Sequence, residues 1–379
     1  LRRVAYAAAE ELLVKAVQLR RATSTTPADQ EAELLAITRL LEVARARRYF
    51  QGATDLDVLD RAKELAERVG RQDILQNLVW FEWSALATAC RRPESDPLAH
   101  AFADLTRDDP RVEMRAAGLE VLGVLHWQAG HITESAEHLD AGMRLLSSAG
   151  PPRDAFDAEM RFVSRCFWIW THTMTGALSA EEAYAEFDRL MVEVPDRFAI
   201  SSICGFAATT AIALGDWPTT ERYVRMGVEA DPGSQFAFWG GQVLMQRSIV
   251  TAWRGDVDAA LKSFAEGRAR YTGIGGRSGV PTFEASLALN VARQGRVTEA
   301  VALIESARAE FETFDERWNE PIVLIGEAVV VSAAGDVAGA EERLARAATV
   351  AREQGSHVLA RRAEELVLVT EAGPKARIS

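Results

Sequence analysis

The sequence predicts an all-α protein, a superhelix built from about eighteen helices that pair into helix-turn-helix repeats. Four glycines, Gly215, Gly255, Gly295 and Gly335, follow one another at intervals of 40 residues. A fixed period of this length is typical of stacked helical repeats. Apolar residues recur at helical spacing along the chain, and no segment has the pattern of a strand. The repeat therefore predicts the architecture before any single residue is assigned a role.

The residues after each of these glycines repeat one pattern of side-chain size. Ala300, Ile304 and Ala307 lie five, nine and twelve residues after Gly295. Similar residues follow Gly335 and Gly255 and, more loosely, Gly215 and Gly130. A small residue lies seven positions before each glycine, namely Gly123, Ala208, Ser248, Ala288 and Ala328. Positions five, nine and twelve share one face of a helix. The small residues are thus predicted to let helices pack closely, and the large residue to fill the space between repeats.

This pattern resembles the tetratricopeptide repeat. The small residue, the turn glycine, the first alanine, the bulky residue and the second alanine have that family's relative spacing. The period of about 40 residues is longer than the family's 34. The resemblance implies a right-handed superhelix, or solenoid, in which the first helix of each repeat lines a concave groove.

The N-terminal part, residues 1–110, is less regular, and capping and breaking residues delimit its helices. Thr26 is predicted as an N-cap and Pro27 as a first-turn residue. Gly52 is predicted to end the second helix and Gly70 the third. The predicted helices of this part are 4–21, 27–48, 57–69, 72–89 and 96–106.

Clear repeats are predicted for residues 111–353. Ser179 and Glu182 have the spacing of a capping box. The loop 273–279 is rich in glycine, but it follows a helix and lacks the Lys-Ser/Thr ending of a phosphate-binding loop, so we expect a flexible inter-repeat loop. The predicted helices are 111–129, 133–148, 156–175, 179–194, 197–214, 218–230, 236–254, 257–271, 281–294, 297–314, 320–334 and 337–353. A capping helix, 357–371, is predicted to complete a single domain, 1–371, before a disordered tail, 372–379.

Composition limits the classes of function. The chain has 43 basic and 55 acidic residues, a net charge of −12, which argues against direct contact with nucleic acid. Its three scattered cysteines predict no disulfide framework and a cytoplasmic location. No run of eighteen apolar residues predicts a membrane span. The chain begins with Leu1, so we expect a fragment of a longer protein.

No motif in the sequence predicts catalysis. His131, Glu134 and His138 share one side of a helix, where they would form either a metal site or a solvated face. The solvated face is the preferred interpretation, because metal sites need three or four convergent ligands. Nucleophile and zinc-hydrolase motifs do not occur. The sequence thus predicts no enzyme, no metal site and no cofactor within this segment.

Tryptophans on first helices predict a binding groove. The chain has nine tryptophans, most of them on first helices. Counting back from each turn glycine gives a candidate groove of Trp80, Glu120, Trp127, Trp170, Gln242, Met245, Trp253 and Arg293. Trp80 belongs to this set if Cys90 takes the place of a turn glycine. Such a surface would bind a peptide or an apolar small molecule. The alternative is that these rings pack between helices, as aromatic residues often do.

Three segments resemble a more specific family. They are ELLVKAVQLR at 11–20, TDLDVLDRAKELAER at 54–68 and WFEWSALATAC at 80–90. They are similar to the C-terminal repeat domain of large actinobacterial regulators, the AfsR/SARP-like activators and the LuxR-type, MalT-like (STAND) regulators. The resemblance implies a sensor domain that follows a nucleotide-binding switch and works with a DNA-binding domain. ATP and DNA would then be bound by domains outside this sequence.

Two functions remain open at this stage. The first is a sensor that binds a small-molecule effector or a protein partner and controls a transcriptional switch. The alternative is a stand-alone scaffold that binds peptides of partner proteins. Both expect a protein without direct contact to nucleic acid or membrane, and the repeats allow a homo-oligomer.

Overall fold

In the computed structural model of the chain, residues 2–48, 52–194, 196–233 and 236–366 are described, and every regular element in these ranges is a helix. The α-helices are α1 Arg2–Thr23, α2 Pro27–Arg48, α3 Gly52–Arg68, α4 Gln72–Thr88, α5 Arg92–Thr106, α6 Val112–Gln128, α7 Ile132–Ser147, α8 Ala155–Thr175, α9 Ala180–Glu193, α10 Arg197–Leu214, α11 Trp217–Ala230, α12 Ala237–Trp253, α13 Val257–Gly273, α14 Val280–Arg293, α15 Val297–Phe314, α16 Glu320–Ala333, α17 Val337–Glu353 and α18 His357–Glu365. A 3-10 turn, Arg317–Asn319, precedes α16. The prediction of an all-α helical-repeat solenoid is confirmed.

Two helix starts differ from the prediction. Gly52 begins α3 instead of ending α2, and glycine can mark either end of a helix. Helix α5 begins at Arg92, four residues earlier than expected, with Pro93 in its first turn. Proline fits this position because the first-turn N–H groups have no partner within the helix. The predicted tail 372–379 and the end of the predicted capping helix lie outside the described residues.

The turn glycines adopt a backbone conformation that ends a helix, in agreement with their predicted place at the turns. Gly215 has a φ of 76° and Gly255 a φ of 100°, in the left-handed region that residues with a Cβ rarely enter. Cys90 has a φ of 53°, so it replaces a turn glycine after α4. This places Trp80 at the predicted position in the first helix of its repeat.

The small residues of the pattern lie where helices approach closely. A Cβ on Gly123 would come within 2.7 Å of Cγ of Leu139, the bulky residue on the following helix. A Cβ on Gly267 would come within 2.9 Å of the carbonyl oxygen of Gly241. Both contacts join the two helices of one repeat, as the sequence pattern predicted.

The superhelix brings early and late repeats into contact. The amides of Arg277 and Ser278 donate to the carbonyl oxygen of Thr88, at 3.0 and 3.1 Å. The amide of Ile132 donates to the carbonyl oxygen of Gln354 at 2.9 Å. Helix α18 packs on α17, as a capping helix should, and it also contacts α8, α10 and α16. The C-terminal helices therefore lie against the inner face of earlier repeats.

Within the part of the chain that the structure describes, one helix is apolar enough for a membrane span by length and composition. Helix α10 has a mean hydropathy of 1.5 over 18 residues, and 72% of that window is buried inside the protein. Burial between neighbouring repeats accounts for this composition, because a helix that is apolar on all sides is typical of a protein interior.

Candidate ligand-binding cavity

The inner face of the superhelix encloses an apolar cavity. Its interior offers about 120 Å³ to water-sized molecules, and the empty space rises to about 1000 Å³ only when the open mouth is included. Side chains from α4, α6, α8, α10, α12 and α14 form the walls, together with residues of the 273–279 loop and of the 3-10 turn before α16. A concave site with a mainly apolar lining is typical of small-molecule binding. One cavity is thus shared by helices from six successive repeats.

A continuous series of aromatic rings lines this cavity, and we call it the aromatic belt. Its consecutive members are Trp318, Trp127, Phe167, Phe206, Trp239, Phe238 and Tyr271, with ring centroids 4.7, 5.1, 5.0, 5.6, 4.9 and 4.8 Å apart. Most neighbours meet edge to face or tilted, the geometry that the quadrupole of an aromatic ring favours. The belt therefore acts as one packed wall that is made of several repeats.

Five of the eight predicted groove residues line the cavity. They are Trp80, Glu120, Trp127, Trp170 and Gln242, each at most 8% exposed. This burial also agrees with the alternative interpretation, that the rings pack between helices. The two interpretations, a binding groove and packing between helices, are compatible here. The same indoles pack on each other and also border the cavity.

The other three predicted groove residues lie outside the cavity. Met245 is fully buried between α12 and α13, where its backbone faces Gly267. Trp253 ends α12, and the guanidinium of Arg254 lies 4.8 Å from its ring centroid. Arg293 ends α14. None of the three is among the residues that line the cavity, so their predicted role in a binding groove stays a prediction.

Several lining residues were missed by the sequence analysis. They include Phe167, Phe206, Tyr271, Phe283 and Trp318. A signal existed for the first two, since Trp127, Phe167 and Phe206 are separated by about one repeat. No local signal existed for Trp318, because its contacts depend on the closure of the superhelix.

Glutamine amides connect neighbouring first helices at the cavity wall. Nε2 of Gln128 donates to the carbonyl oxygen of Ala87 at 2.7 Å, which links α6 to α4. Nε2 of Gln242 donates to Oγ1 of Thr209 at 3.3 Å, which links α12 to α10. These bonds satisfy polar groups that would otherwise be costly to bury, so they hold the walls in a defined register.

The 273–279 loop closes one side of the cavity and is held by specific bonds. The buried carboxylate of Glu316 accepts from the amide of Gly279 at 2.8 Å, from Oγ of Ser278 at 2.5 Å and from Nδ2 of Asn319 at 3.0 Å. Burial raises the pKa of Glu316. Together with the bonds to Thr88, these contacts tie the C-terminal half of the loop, Arg277 to Gly279, to two other parts of the fold.

The histidines form a separate cluster. The ring of His126 stacks on that of His138, with centroids 5.1 Å apart and planes inclined by 16°. The centroid of His131 lies 5.9 Å from that of His126. Burial lowers the pKa of both His126 and His138, so the neutral forms are favoured. No group of three metal-binding side chains is found among the described residues.

Comparison with known proteins gives a likeness in structure alone. No protein-family model and no curated protein matches the sequence. The chain is similar to a chain in the crystal structure of the APC/C hetero-tetramer Cut9-Hcn1, with a TM-score of 0.45 and 12% identity. The likeness covers 92% of this chain and 70% of that chain.

Proposed function

We propose that this chain is a non-catalytic sensor domain that binds a small hydrophobic effector in the cavity of the aromatic belt. We further propose that it is part of a transcriptional regulator, whose nucleotide-binding switch and DNA-binding domain lie outside this sequence. The second proposal is supported by the resemblance of segments 11–20, 54–68 and 80–90 to the sensor domains of such regulators. The first is supported by the cavity itself.

One observation carries the proposal of a sensor. Trp80 and Trp127 of the early repeats and Trp318 near the C-terminal end border the same cavity. An effector in this space would contact distant parts of the array at once. It would therefore bind the closed superhelix more tightly than an opened one. A ligand shifts a conformational equilibrium by its difference in affinity for the two states, so occupancy would favour closure and a neighbouring domain would respond to it.

A fluorescence titration tests whether the cavity binds hydrophobic molecules. Nile red, a neutral dye that brightens in apolar surroundings, is titrated into the protein and into the variants Trp127→Phe and Trp253→Phe. We expect saturable binding that is weakened in Trp127→Phe and unchanged in Trp253→Phe, because Trp253 lies outside the cavity. Failure of the dye to bind, or equal loss in both variants, would contradict the proposal.

The scaffold alternative has a distinct outcome in the same experiment. A stand-alone scaffold would capture partner peptides on its surface without filling the cavity. In that case an excess of a captured peptide would leave Nile red in place, and the Trp127→Phe variant would bind the peptide normally. Sequencing the open reading frame beyond residues 1 and 379 tests the regulator context separately.

A further inference from the structure

The interior of the cavity is much smaller than its mouth. It offers about 120 Å³ to water-sized molecules. An apolar cavity of about 150 Å³ stays dry and binds benzene. The interior of this cavity is therefore of the size that holds a single aromatic ring or a short branched alkyl group. A fused-ring molecule would extend into the mouth.

The hydroxyl groups of the lining are already used by the protein. A hydroxyl has one proton to donate. Five lining hydroxyl groups each donate this proton to a protein oxygen, at distances of 2.5 to 3.0 Å, and they belong to Thr88, Ser202, Thr209, Tyr271 and Ser278. A ligand atom that accepts hydrogen bonds could use one of these donors only by breaking a bond that holds the wall together.

The indole nitrogens of three lining tryptophans do not offer donors to the interior either. Nε1 of Trp127, of Trp170 and of Trp239 has less than 1 Å² of accessible surface, so other atoms of the protein cover it. An acceptor that entered the interior would lose its bonds to water and gain none in return, which is unfavourable. The wall therefore favours a ligand group without an acceptor atom.

We propose that the natural effector places in this interior an apolar group no larger than one aromatic ring, such as a phenyl or short branched alkyl group, that carries no hydrogen-bond acceptor. Any larger or polar part of the effector lies in the mouth. This inference rests on the proposed sensor function and names the chemical class of the group that the site selects. Nile red, with its fused rings, would lie in the mouth and reach the interior with one end only.

Three ring compounds test the limits on size and polarity. Benzene, pyridine and naphthalene are titrated into the protein by isothermal calorimetry at pH 8, where pyridine is neutral. We expect saturable binding of benzene. Apolar ligands bind more tightly as they bury more area, so naphthalene would bind more tightly than benzene if the interior admitted it, and we expect it to bind more weakly. Pyridine replaces one C–H of benzene by an acceptor nitrogen, and we expect its affinity to be lower by at least about tenfold.

A cavity-filling variant tests where benzene binds. Ala87 lines the cavity and is 4% exposed. Ala87→Leu adds a side chain that occupies part of the interior, so it should abolish the binding of benzene. Ala85→Leu is the matched control, because Ala85 lies on the same helix, is half-buried and does not line the cavity. Circular dichroism shows whether both variants fold. If Ala87→Leu does not fold, the three titrations of the wild-type chain still decide the question of size and polarity.

The outcomes separate this inference from the proposed function. Tighter binding of naphthalene than of benzene would show that the size limit is wrong. Equal affinities for pyridine and benzene would show that a free donor faces the interior, and benzene binding retained in a folded Ala87→Leu variant would place the site elsewhere. If Nile red binds and benzene does not, the inference fails while the proposed function stands. If neither binds, the proposed function itself fails.

Discussion

The indole of Trp318 stacks on the indole of Trp127, with ring centroids 4.7 Å apart and ring planes inclined by 24°. Trp127 belongs to α6, whereas Trp318 belongs to the 3-10 turn that precedes α16. Trp170 meets both rings edge to face, at 5.6 and 5.1 Å. This cluster of three indoles joins early and late repeats across the cavity, so it couples the closure of the superhelix to the shape of the site.

Removal of Trp318 should therefore destabilise the closed superhelix. Trp318→Ala is expected to lower the free energy of unfolding by about 3–5 kcal/mol, because the side chain is 1% exposed and packs on two other indoles. Urea unfolding followed by circular dichroism measures this loss. The double variant with Trp127→Ala should lose less than the sum of the single losses, since the two rings contact each other. If the loss of unfolding free energy in the double variant equalled the sum of the two single losses, the stacking of the two rings would contribute nothing to stability.

A close approach between helix backbones should make Gly267 intolerant of alanine. A Cβ at this position would lie 2.9 Å from the carbonyl oxygen of Gly241 and 2.9 Å from the amide nitrogen of Met245. Because backbone atoms cannot rotate away, α12 and α13 would have to separate, at a cost of about 1–3 kcal/mol. Thermal unfolding of Gly267→Ala should show this loss although alanine favours helices.

The same helix supplies the control for that substitution. A Cβ on Gly273 would have no atom within 4 Å, so Gly273→Ala should be neutral or slightly stabilising. An equal loss in both variants would indicate a general effect of the substitution and contradict the role of close packing at Gly267.

Glu284 should make stability fall with rising pH. Burial raises the pKa of its carboxyl to about 7, although Arg268 at 3.0 Å and the hydroxyl of Ser306 at 2.9 Å both act to lower it. Between pH 4.5, the ordinary pKa of a glutamate, and about pH 7, the folded chain holds a proton on Glu284 that the unfolded chain has released. Stability contributed by this proton is complete below pH 4.5 and is lost as the pH passes 7.

The variant Glu284→Gln tests this pH dependence. It should remove up to about 3 kcal/mol of the decrease in unfolding free energy that the wild-type chain shows between pH 5 and pH 8. Urea titrations at both pH values measure the difference, so titration of other groups cancels in the comparison. Parallel pH curves for the two proteins would show that Glu284 titrates as it does in the unfolded chain.

Arg362 should hold the last helix against α10. Its Nη1 donates to the carbonyl oxygens of Ile212 and Ala213, at 3.0 and 2.5 Å, near the C-terminal end of α10. A cation suits this end of a helix. Burial lowers the pKa of Arg362 to about 10, and the nearby charge of Arg293 acts in the same direction. The side chain still carries its charge at pH 7.

Replacement of Arg362 by alanine is expected to destabilise the chain by about 1–3 kcal/mol, because two carbonyl oxygens lose a donor. Hydrogen exchange should increase in α18 and at the end of α10, while α4 to α7 stay protected. Arg361 is the matched control, since it is exposed on the same helix. Comparable exchange in Arg361→Ala and Arg362→Ala would rule out a specific role for the Arg362 contacts.

Much of the fold was predictable because it depends on residues that are close in sequence. The turn glycines, the capping box of Ser179 and Glu182 and the small residue at Gly267 all act within one repeat, so spacing alone reveals them. For Cys90 the sequence supplied only a condition, that it would take the place of a turn glycine, and its φ of 53° meets that condition.

Part of the candidate site could be predicted from the sequence. The rest could not, and the reason is geometric. Trp80, Trp127 and Trp170 were found because they lie on first helices, which face inward in such arrays. Trp318 was missed, and Arg293 does not line the cavity, because the inward direction at each repeat depends on small rotations between repeats that add up along the array.

The sequence by itself determined the repeat period, the helices and the residues that allow close packing, since each follows from interactions within a few turns of helix. The tertiary structure alone decided that the array closes on itself, that the 273–279 loop bonds to Thr88 and Glu316, and that the aromatic belt surrounds empty space. Those features arise from contacts between residues far apart in the chain, and no local pattern specifies the curvature that brings them together.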